Sequence, residues 1–112
     1  MSNLYMDYIE FSTGDLAASK KFFSEVFGWD FKDFGDTYAS FNDGQGRGGF
    51  VQTNGAVGGG PLVVLRAEDL GPVQEKVLAS GGKITVEIFE FPGGKRFHFS
   101  EPGGNELGVW SE

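Results

Sequence analysis

Hydrophobic and polar residues change their spacing along the chain, and they do so in the same way in each half. From Leu4 to Ser12 apolar and polar residues alternate, as they do in a half-buried strand. Asp15 then precedes a stretch whose apolar positions lie three or four residues apart, which predicts a helix that Asp15 caps and Gly28 ends. Three short β-rich runs separated by turn residues follow. The first half is therefore predicted to be a βαβββ module.

The second half repeats this plan. Residues 8–16 align with residues 62–70, and Gly28 aligns with Gly82. Asp69 is the predicted cap of the second helix, and Gly81 with Gly82 is its stop. The strands expected after the two helices are 29–34, 37–41 and 48–52 in the first half, and 83–88, 95–100 and 106–110 in the second. This duplication predicts an α+β fold in a single domain, 1–112, with module 1 at about 1–54 and module 2 at about 55–112.

The amino-acid composition limits which binding partners and which cellular compartment are expected. The chain has 112 residues, of which 39% are hydrophobic and 12 are Phe, enough for one core. Its net charge of -7 repels phosphate backbones and anionic lipid, so no nucleic-acid or membrane partner is expected. The chain opens without a basic and apolar leader, which predicts a cytoplasmic protein. It has no cysteine, which excludes disulfides, thiolate metal sites and cysteine nucleophiles.

The segment 44–60 is rich in glycine and joins the two halves. Gly44, Gly46 and Gly49 match a dinucleotide-binding G-x-G-x-x-G pattern. The residues that follow, 50–55, cannot open the helix that would hold a pyrophosphate, so this interpretation is rejected. A β-turn followed by a flexible linker fits the composition, and a loop that gates a cleft is the alternative.

Three segments carry a family resemblance. These are 15–29, from Asp-Leu to Phe-Gly-Trp, then 81–83, Gly-Gly-Lys, and 101–110, Glu-Pro-Gly-Gly-Asn-Glu-Leu-Gly-Val-Trp. Together they resemble the glyoxalase / bleomycin-resistance / extradiol-dioxygenase family, also called the vicinal oxygen chelate family, over essentially the whole chain. The resemblance implies paired βαβββ modules whose mixed sheet curls into a cup, with a helix on the outside of each module. It also implies a homodimer, and a divalent metal or a drug-like molecule in the cup.

The resemblance further implies a metal ligand, His or Glu, on the first and last strand of each module. At the first-strand positions this chain has Tyr8 and Leu62. At the last-strand position of module 2 it has Gly108, and the counterpart in module 1 is Phe50. Leu, Phe and Gly side chains offer no donor, and a neutral phenol is a poor one. We therefore predict no catalytic metal, and we expect no other cofactor.

Strand alternation predicts which side chains face the cup. If Tyr8 points inward, Met6 and Glu10 do so too, while Ile9 and Phe11 pack beneath the helix. By the same rule Leu62, Val64 and Arg66 point inward in module 2, as do His98, Glu106 and Trp110. The candidate ligand-binding residues are Tyr8, Glu10, Phe50, Leu62, Arg66, His98 and Trp110, and the candidate catalytic residues are Glu10 and His98.

Each candidate also has a structural interpretation. An unpaired carboxylate in mid-strand is costly, so Glu10 can be the ion-pair partner of Arg66 or Arg96. His98 is the single histidine and can be a surface or structural residue.

The aromatic residues and the remaining polar residues have similar alternatives. Trp29, Trp110 and Tyr8 either pack in the core or form a stacking wall for a planar ligand. Glu106 is interpreted as solvated or salt-bridged rather than catalytic. A nucleophile triad built on Ser100 is disfavoured because the sequence has no G-x-S-x-G elbow.

Two functions from different classes are compatible with this pattern. The first, which we favour, is a metal-free module that binds a small, partly aromatic molecule in an acidic, aromatic-lined cup. The second is a lyase, isomerase or other glyoxalase-like enzyme acting on a small oxygenated metabolite. In that enzyme Glu10 would be the base, and His98 or Arg66 the acid or oxyanion partner.

Overall fold

The computed structural model describes residues 7–112, and this range forms two successive βαβββ modules. Module 1 contains β1 (Ile9–Thr13), α1 (Leu16–Phe27), β2 (Asp30–Asp33), β3 (Tyr38–Asn42) and β4 (Arg47–Gln52). Module 2 contains β5 (Val63–Arg66), α2 (Leu70–Ala79), β6 (Lys83–Phe91), β7 (Gly94–Ser100) and β8 (Glu106–Ser111). The predicted α+β fold with two modules is confirmed. Leu4 and Met6, expected in the first strand, lie outside the described residues.

Each module contributes one mixed four-stranded sheet. The strand orders are β1-β4-β3-β2 and β5-β8-β7-β6, so the same topology occurs twice. In each sheet the first and last strands of the module pair in parallel, and the remaining pairs are antiparallel. Strand β6 extends beyond the predicted residues 83–88 and shifts its register against β7 between Ile84 and Val86 and again between Val86 and Phe89. Such irregularities bend a strand and change the side chains that it presents.

Both helices begin directly after the predicted aspartate cap and end before the predicted glycines. The Asp15 carboxylate accepts a hydrogen bond from the Ala18 N–H at 3.0 Å, and Asp69 accepts one from the Gly71 N–H. Helix α1 ends at Gly28, whose φ of 72° lies in the left-handed region that favours glycine. Neither helix within residues 7–112 is both long enough and apolar enough to cross a membrane.

Phenylalanine side chains build a core that is shared by both modules. Phe22, Phe23 and Phe50 are buried in module 1, and Phe97 and Phe99 are buried in module 2. The rings of Phe22 and Phe99 lie 5.7 Å apart, so helix α1 packs against the sheet of the other module. Burying one such side chain stabilises the fold by about 1.5–3 kcal/mol. The two modules therefore share one apolar core.

Trp29 is also a core residue. Its ring stacks on Phe41 with centroids 4.4 Å apart and on Phe23 with centroids 4.8 Å apart. Only 7% of Trp29 is exposed, so its surface is taken up by core contacts. Of the two interpretations open for Trp29, the structure supports packing in the core.

Candidate functional site

Each sheet has one face turned to the core and one open face, and β4 shows which residues take which side. Phe50 pairs with Phe11 across the β1–β4 ladder, and their rings stack 5.0 Å apart in the core. The next pair, Glu10 and Gly49, therefore belongs to the open face. A Cβ added at Gly49 would overlap the hydroxyl groups of Tyr8 and Tyr38, which confirms that these phenols lie over Gly49.

This geometry corrects one sequence expectation. Phe50 was a candidate ligand-binding residue, but its side chain has no exposed surface and packs 5.2 Å from the Phe23 ring. The open-face position on β4 is Gly49, which pairs with Glu10 as Gly108 pairs with Val64 in module 2. The expectation failed by one residue because alternation gives the spacing of side chains on one strand, whereas the face depends on the register between strands.

A short chain of hydrogen bonds ends at Glu10 on the open face of module 1. The Tyr38 hydroxyl donates to Glu10 Oε1 at 3.0 Å, and the Tyr8 hydroxyl is hydrogen-bonded to the Tyr38 hydroxyl. Because the Tyr38 hydroxyl donates its single hydrogen to Glu10, the Tyr8 hydroxyl is the donor to the Tyr38 oxygen. Burial of Tyr38 raises its pKa above the ordinary value, and the bonds to Tyr8 and Glu10 raise it further. We call Tyr8, Glu10 and Tyr38 the phenol–carboxylate cluster.

Glu10 also lines a cleft between the two modules. The cleft has a volume of about 690 Å³ and is bounded by β1, residues 58–62 before β5, and the start of β8. Its walls are mainly apolar, and Glu10 and Glu106 are their charged side chains. Leu62 is a further lining residue. The structure thus brings Glu10, Leu62 and Glu106, from opposite modules, to one space.

A buried carboxylate, Glu101, joins the modules and is hydrogen-bonded to Asn105, a residue that lines the cleft. Glu101 is 3% exposed and accepts hydrogen bonds from Ser19 Oγ at 2.8 Å and from the Gly103 N–H at 2.6 Å. Asn105 Nδ2 donates both to Glu101 Oε2 and to the Ser12 backbone oxygen, each at 2.7 Å. We call this arrangement the Glu101 turn. It fixes module 2 against β1, the strand that carries Glu10.

The open face of module 2 holds the remaining candidates, His98, Arg66 and Trp110. His98 is half-buried, and its Nδ1 lies 3.8 Å from Glu106 Oε2. Glu106 Oε2 also accepts a hydrogen bond from Thr85 Oγ1 at 2.7 Å. Arg66 lies over the Trp110 ring, 5.3 Å from its centroid, and forms an ion pair with Glu112. Glu106 therefore links this face to the cleft.

The partner expected for Glu10 differs from the one observed. Sequence reasoning offered Arg66 or Arg96 as an ion-pair partner. In the structure Arg66 pairs with Glu112, and Arg96 lies over the rings of Phe89 and Phe91. Glu10 instead accepts a hydrogen bond from Tyr38.

Tyr38 was missed by the sequence analysis because nothing in its immediate sequence distinguishes it. Its role depends on β3 pairing with β4, which places Ser40 beside Gly49 and brings Tyr38 to the same face. Phe89 and Phe91 were missed because they lie beyond the predicted end of their strand. The pairing of β3 with β4 would have pointed to Tyr38, but a single sequence does not specify that pairing.

The four positions implied by the resemblance do not fit a divalent metal. With β4 corrected, they are Tyr8, Gly49, Leu62 and Gly108. Three of them have no donor atom in the side chain, and the hydroxyl of the fourth is engaged with Tyr38. Within residues 7–112 there is also no group of three or more His, Cys, Asp or Glu side chains arranged to hold a metal ion. Imidazole and carboxylate donors are what such ions require.

Comparison with known proteins identifies the fold and the family. The model of the Glyoxalase/Bleomycin resistance protein/Dioxygenase superfamily matches residues 5–109. A protein of Mycobacterium bovis named "Putative glyoxylase CFP32" is 27% identical over 93% of this chain and 44% of its own length. The chain thus spans less than half the length of this curated relative.

Two solved structures show the same fold. A glyoxalase-related enzyme from Fulvimarina pelagi has a TM-score of 0.81 and 20% identity, covering 96% of this chain and 88% of that one. A glyoxalase/bleomycin resistance protein/dioxygenase family enzyme from Burkholderia phytofirmans PsJN has a TM-score of 0.80 and 15% identity, covering 94% and 96%. The family match over almost the whole chain shows that this protein belongs to the glyoxalase/bleomycin resistance protein/dioxygenase superfamily.

Proposed function

We propose that this protein binds a small molecule in the cleft between its modules and does so without a metal ion. The observation that carries the proposal is Glu10, which lines the cleft while the Tyr38 hydroxyl holds its carboxylate. Specific sites of this kind combine apolar walls with a few fixed polar groups. Glu10 and its hydrogen-bonded phenol supply such a group.

The polar groups of the cleft favour a ligand that donates hydrogen bonds. Glu10 and Glu106 are the charged residues of its walls, and ionised carboxylates only accept hydrogen bonds. No Lys or Arg occurs among the residues that line the cleft within 7–112. An apolar molecule that carries hydroxyl or amine groups fits these walls.

Glu10→Gln tests this proposal. A thermal-shift screen against a metabolite and drug library first identifies ligands, and calorimetry measures their affinity. If Glu10 accepts a hydrogen bond from the ligand, the change to Gln weakens binding by about tenfold or more. The melting temperature should stay within a few degrees, because Glu10 is exposed and Gln can still accept a hydrogen bond from Tyr38.

Glu25→Gln is the matched control, since it removes the same charge from the exposed surface of α1. Its binding should equal that of the unchanged protein. Normal binding by Glu10→Gln, combined with a marked loss of stability, would show that Glu10 is a structural residue and would contradict the proposal.

An enzymatic function is the second candidate, and the phenol–carboxylate cluster is the observation that favours it. A carboxylate beside a bound ligand can remove a proton, and Tyr38 is placed to orient it. His98, 3.8 Å from the cleft residue Glu106, is the candidate acid, whereas Arg66 is already paired with Glu112. Product formation from a bound ligand, lost in Glu10→Gln and retained in Glu25→Gln, would establish this function. Binding without turnover supports the first.

A further inference from the structure

A row of alternating cationic and aromatic side chains crosses the open face of module 2, away from the cleft. Strand pairing places Arg66 beside Trp110, Trp110 beside Arg96, and Arg96 beside Phe89. Phe91 adds a further ring, whose centroid lies 6.2 Å from that of Trp110. None of these five residues lines the cleft. We call them the arginine–aromatic row.

The two arginines of this row differ in how their charge is balanced. Arg66 forms an ion pair with Glu112. Arg96 is half-buried, and its guanidinium lies 5.2 Å from the ring centroids of both Phe89 and Phe91. No carboxylate of residues 7–112 forms an ion pair with Arg96, and its buried Nε has no hydrogen-bond partner among those residues.

The Arg96 guanidinium therefore lacks a hydrogen-bond acceptor within residues 7–112 for at least one of its N–H groups. Aromatic rings stabilise its charge, but they supply no acceptor for its N–H groups. A carboxylate would accept two of them at once in the bidentate geometry that arginine favours. The rings also hold the planar guanidinium in place, so little side-chain freedom remains to be lost when an anion binds.

We propose that the arginine–aromatic row is a binding site for an aromatic carboxylate, with Arg96 as the anchor of its anionic group. Arg66 and Phe91 contact part of the Trp110 ring, and its remaining exposed part, next to Arg96 in the row, can pack against the aromatic part. The net charge of -7 opposes anions at long range, but salt screens it beyond about 8 Å, so the direct contact decides. This site is independent of the function proposed for the cleft.

The test uses benzoate as the probe and benzamide as its neutral counterpart. Two-dimensional nitrogen–proton spectra of the full chain resolve the Arg96 Nε–H and the indole N–H groups of Trp29 and Trp110. Benzoate should shift the Arg96 and Trp110 signals in a saturable way and leave the buried Trp29 signal unchanged. Benzamide and inorganic phosphate should each bind about tenfold more weakly, because each lacks one half of the recognised group.

Variants of Arg96 separate recognition of the anion from stability. Arg96→Gln should weaken benzoate binding by about tenfold or more. The affinity of Arg96→Lys should lie between those of the unchanged protein and Arg96→Gln, because lysine keeps the charge but lacks the planar guanidinium. Lys95→Gln is the matched control: it removes the same charge from an exposed neighbouring residue and should change the affinity by less than about twofold. The Arg96→Lys variant keeps the test valid even if Arg96→Gln is poorly folded.

Several results would overturn the inference. Equal affinity for benzoate and benzamide would show that the row selects rings but not anions. Equal affinity for phosphate and benzoate would show that the row does not recognise the aromatic ring of the ligand. Absence of any benzoate shift up to about 10 mM, or an unchanged affinity in Arg96→Lys and Arg96→Gln, would show that Arg96 anchors nothing.

Discussion

Tyr38 couples the open face of module 1 to the carboxylate of Glu10. Its hydroxyl receives one hydrogen bond, from Tyr8, and gives one, to Glu10. In such a chain each hydroxyl that donates also becomes a better acceptor, so the members strengthen one another. Tyr38 thereby holds the carboxylate of Glu10, a residue that lines the cleft.

The raised pKa of Tyr38 predicts how stability depends on alkaline pH. In the unfolded chain Tyr38 ionises near pH 10, whereas in the folded protein burial and the neighbouring Glu10 delay its ionisation. The folded state therefore holds the proton more tightly. Its contribution to stability is complete below about pH 10 and is lost as the pH rises through the folded value.

Phenolate absorbance and urea unfolding as functions of pH test this dependence. Tyr38→Phe should remove the late-ionising phenol and flatten the loss of stability above about pH 10. Tyr38 ionising together with an ordinary exposed tyrosine would contradict the prediction.

Two adjacent glycines on β4 differ in what a methyl group would meet. At Gly48 an added Cβ would overlap the Ile9 backbone oxygen and the Phe41 ring, neither of which can move without disturbing the sheet. At Gly49 it would meet the ends of the Tyr8 and Tyr38 side chains, on an open face where they can turn away. One glycine permits strand packing, and the other makes room for the phenol–carboxylate cluster.

Alanine at each position should separate these roles. Gly48→Ala should lower the free energy of unfolding by about 2–4 kcal/mol through overpacking. Gly49→Ala should lower it by less than about 1 kcal/mol, while displacing Tyr38 and returning its pKa toward the ordinary value. Urea unfolding and phenolate titration of both variants measure these changes. The same loss of stability in both would show that the Gly49 contacts are as rigid as those of Gly48.

The elements also show what the sequence can predict and what it cannot. Asp15, Gly28 and Asp69 act through neighbouring backbone groups, so the limits of the helices could be predicted from short stretches of sequence. The face of Phe50 and the position of Tyr38 depend on how separate strands align, which no short stretch specifies. The irregular pairing of β6 with β7 brings Phe89 to Arg96, and the alternation of apolar residues gave no sign of it.

At the scale of the whole molecule, the metal-ligand positions predict a protein without a bound divalent ion. Tyr8, Gly49, Leu62 and Gly108 provide no set of donors for Zn, Ni, Mn or Fe. Elemental analysis after purification without chelator should find less than one equivalent of any of these metals per chain. One equivalent, lost on replacing any two of Glu10, His98 and Glu106, would contradict the prediction.

Exposed apolar side chains predict that two chains associate. Leu62 and Val64 at the start of module 2 and Val86 on β6 are each 38–39% exposed, and β2 and β6 end their sheets as unpaired edges within residues 7–112. Pairing of chains would cover such surfaces. Sedimentation at micromolar concentration should give about twice the single-chain mass of 12.1 kDa.

Substitutions identify which surface is covered. Val64→Asp should shift the protein toward the single-chain mass, whereas Leu78→Asp, on the exposed surface of α2, should not. A mass near 12.1 kDa for the unchanged protein would rule out the dimer at that concentration.

The Glu101 turn makes the two halves of this duplicated chain unequal. The corresponding turn of module 1, between β3 and β4, is exposed. Its hydrogen bonds stay within the turn, because Asp43 accepts them from the N–H groups of Gln45 and Gly46. Glu101 instead takes a donor from Ser19 in the other half. Two copies of module 1 in one chain would therefore lack this connection.

This inequality has a consequence for how the protein can diversify. Glu101, Ser19 and Thr13 are buried, and none of them lines the cleft within residues 7–112. Point substitutions on the open faces can therefore alter the preferred ligand while the alignment of the halves is inherited unchanged. A descendant of this chain can acquire a new specificity without re-evolving the way its two halves fit together.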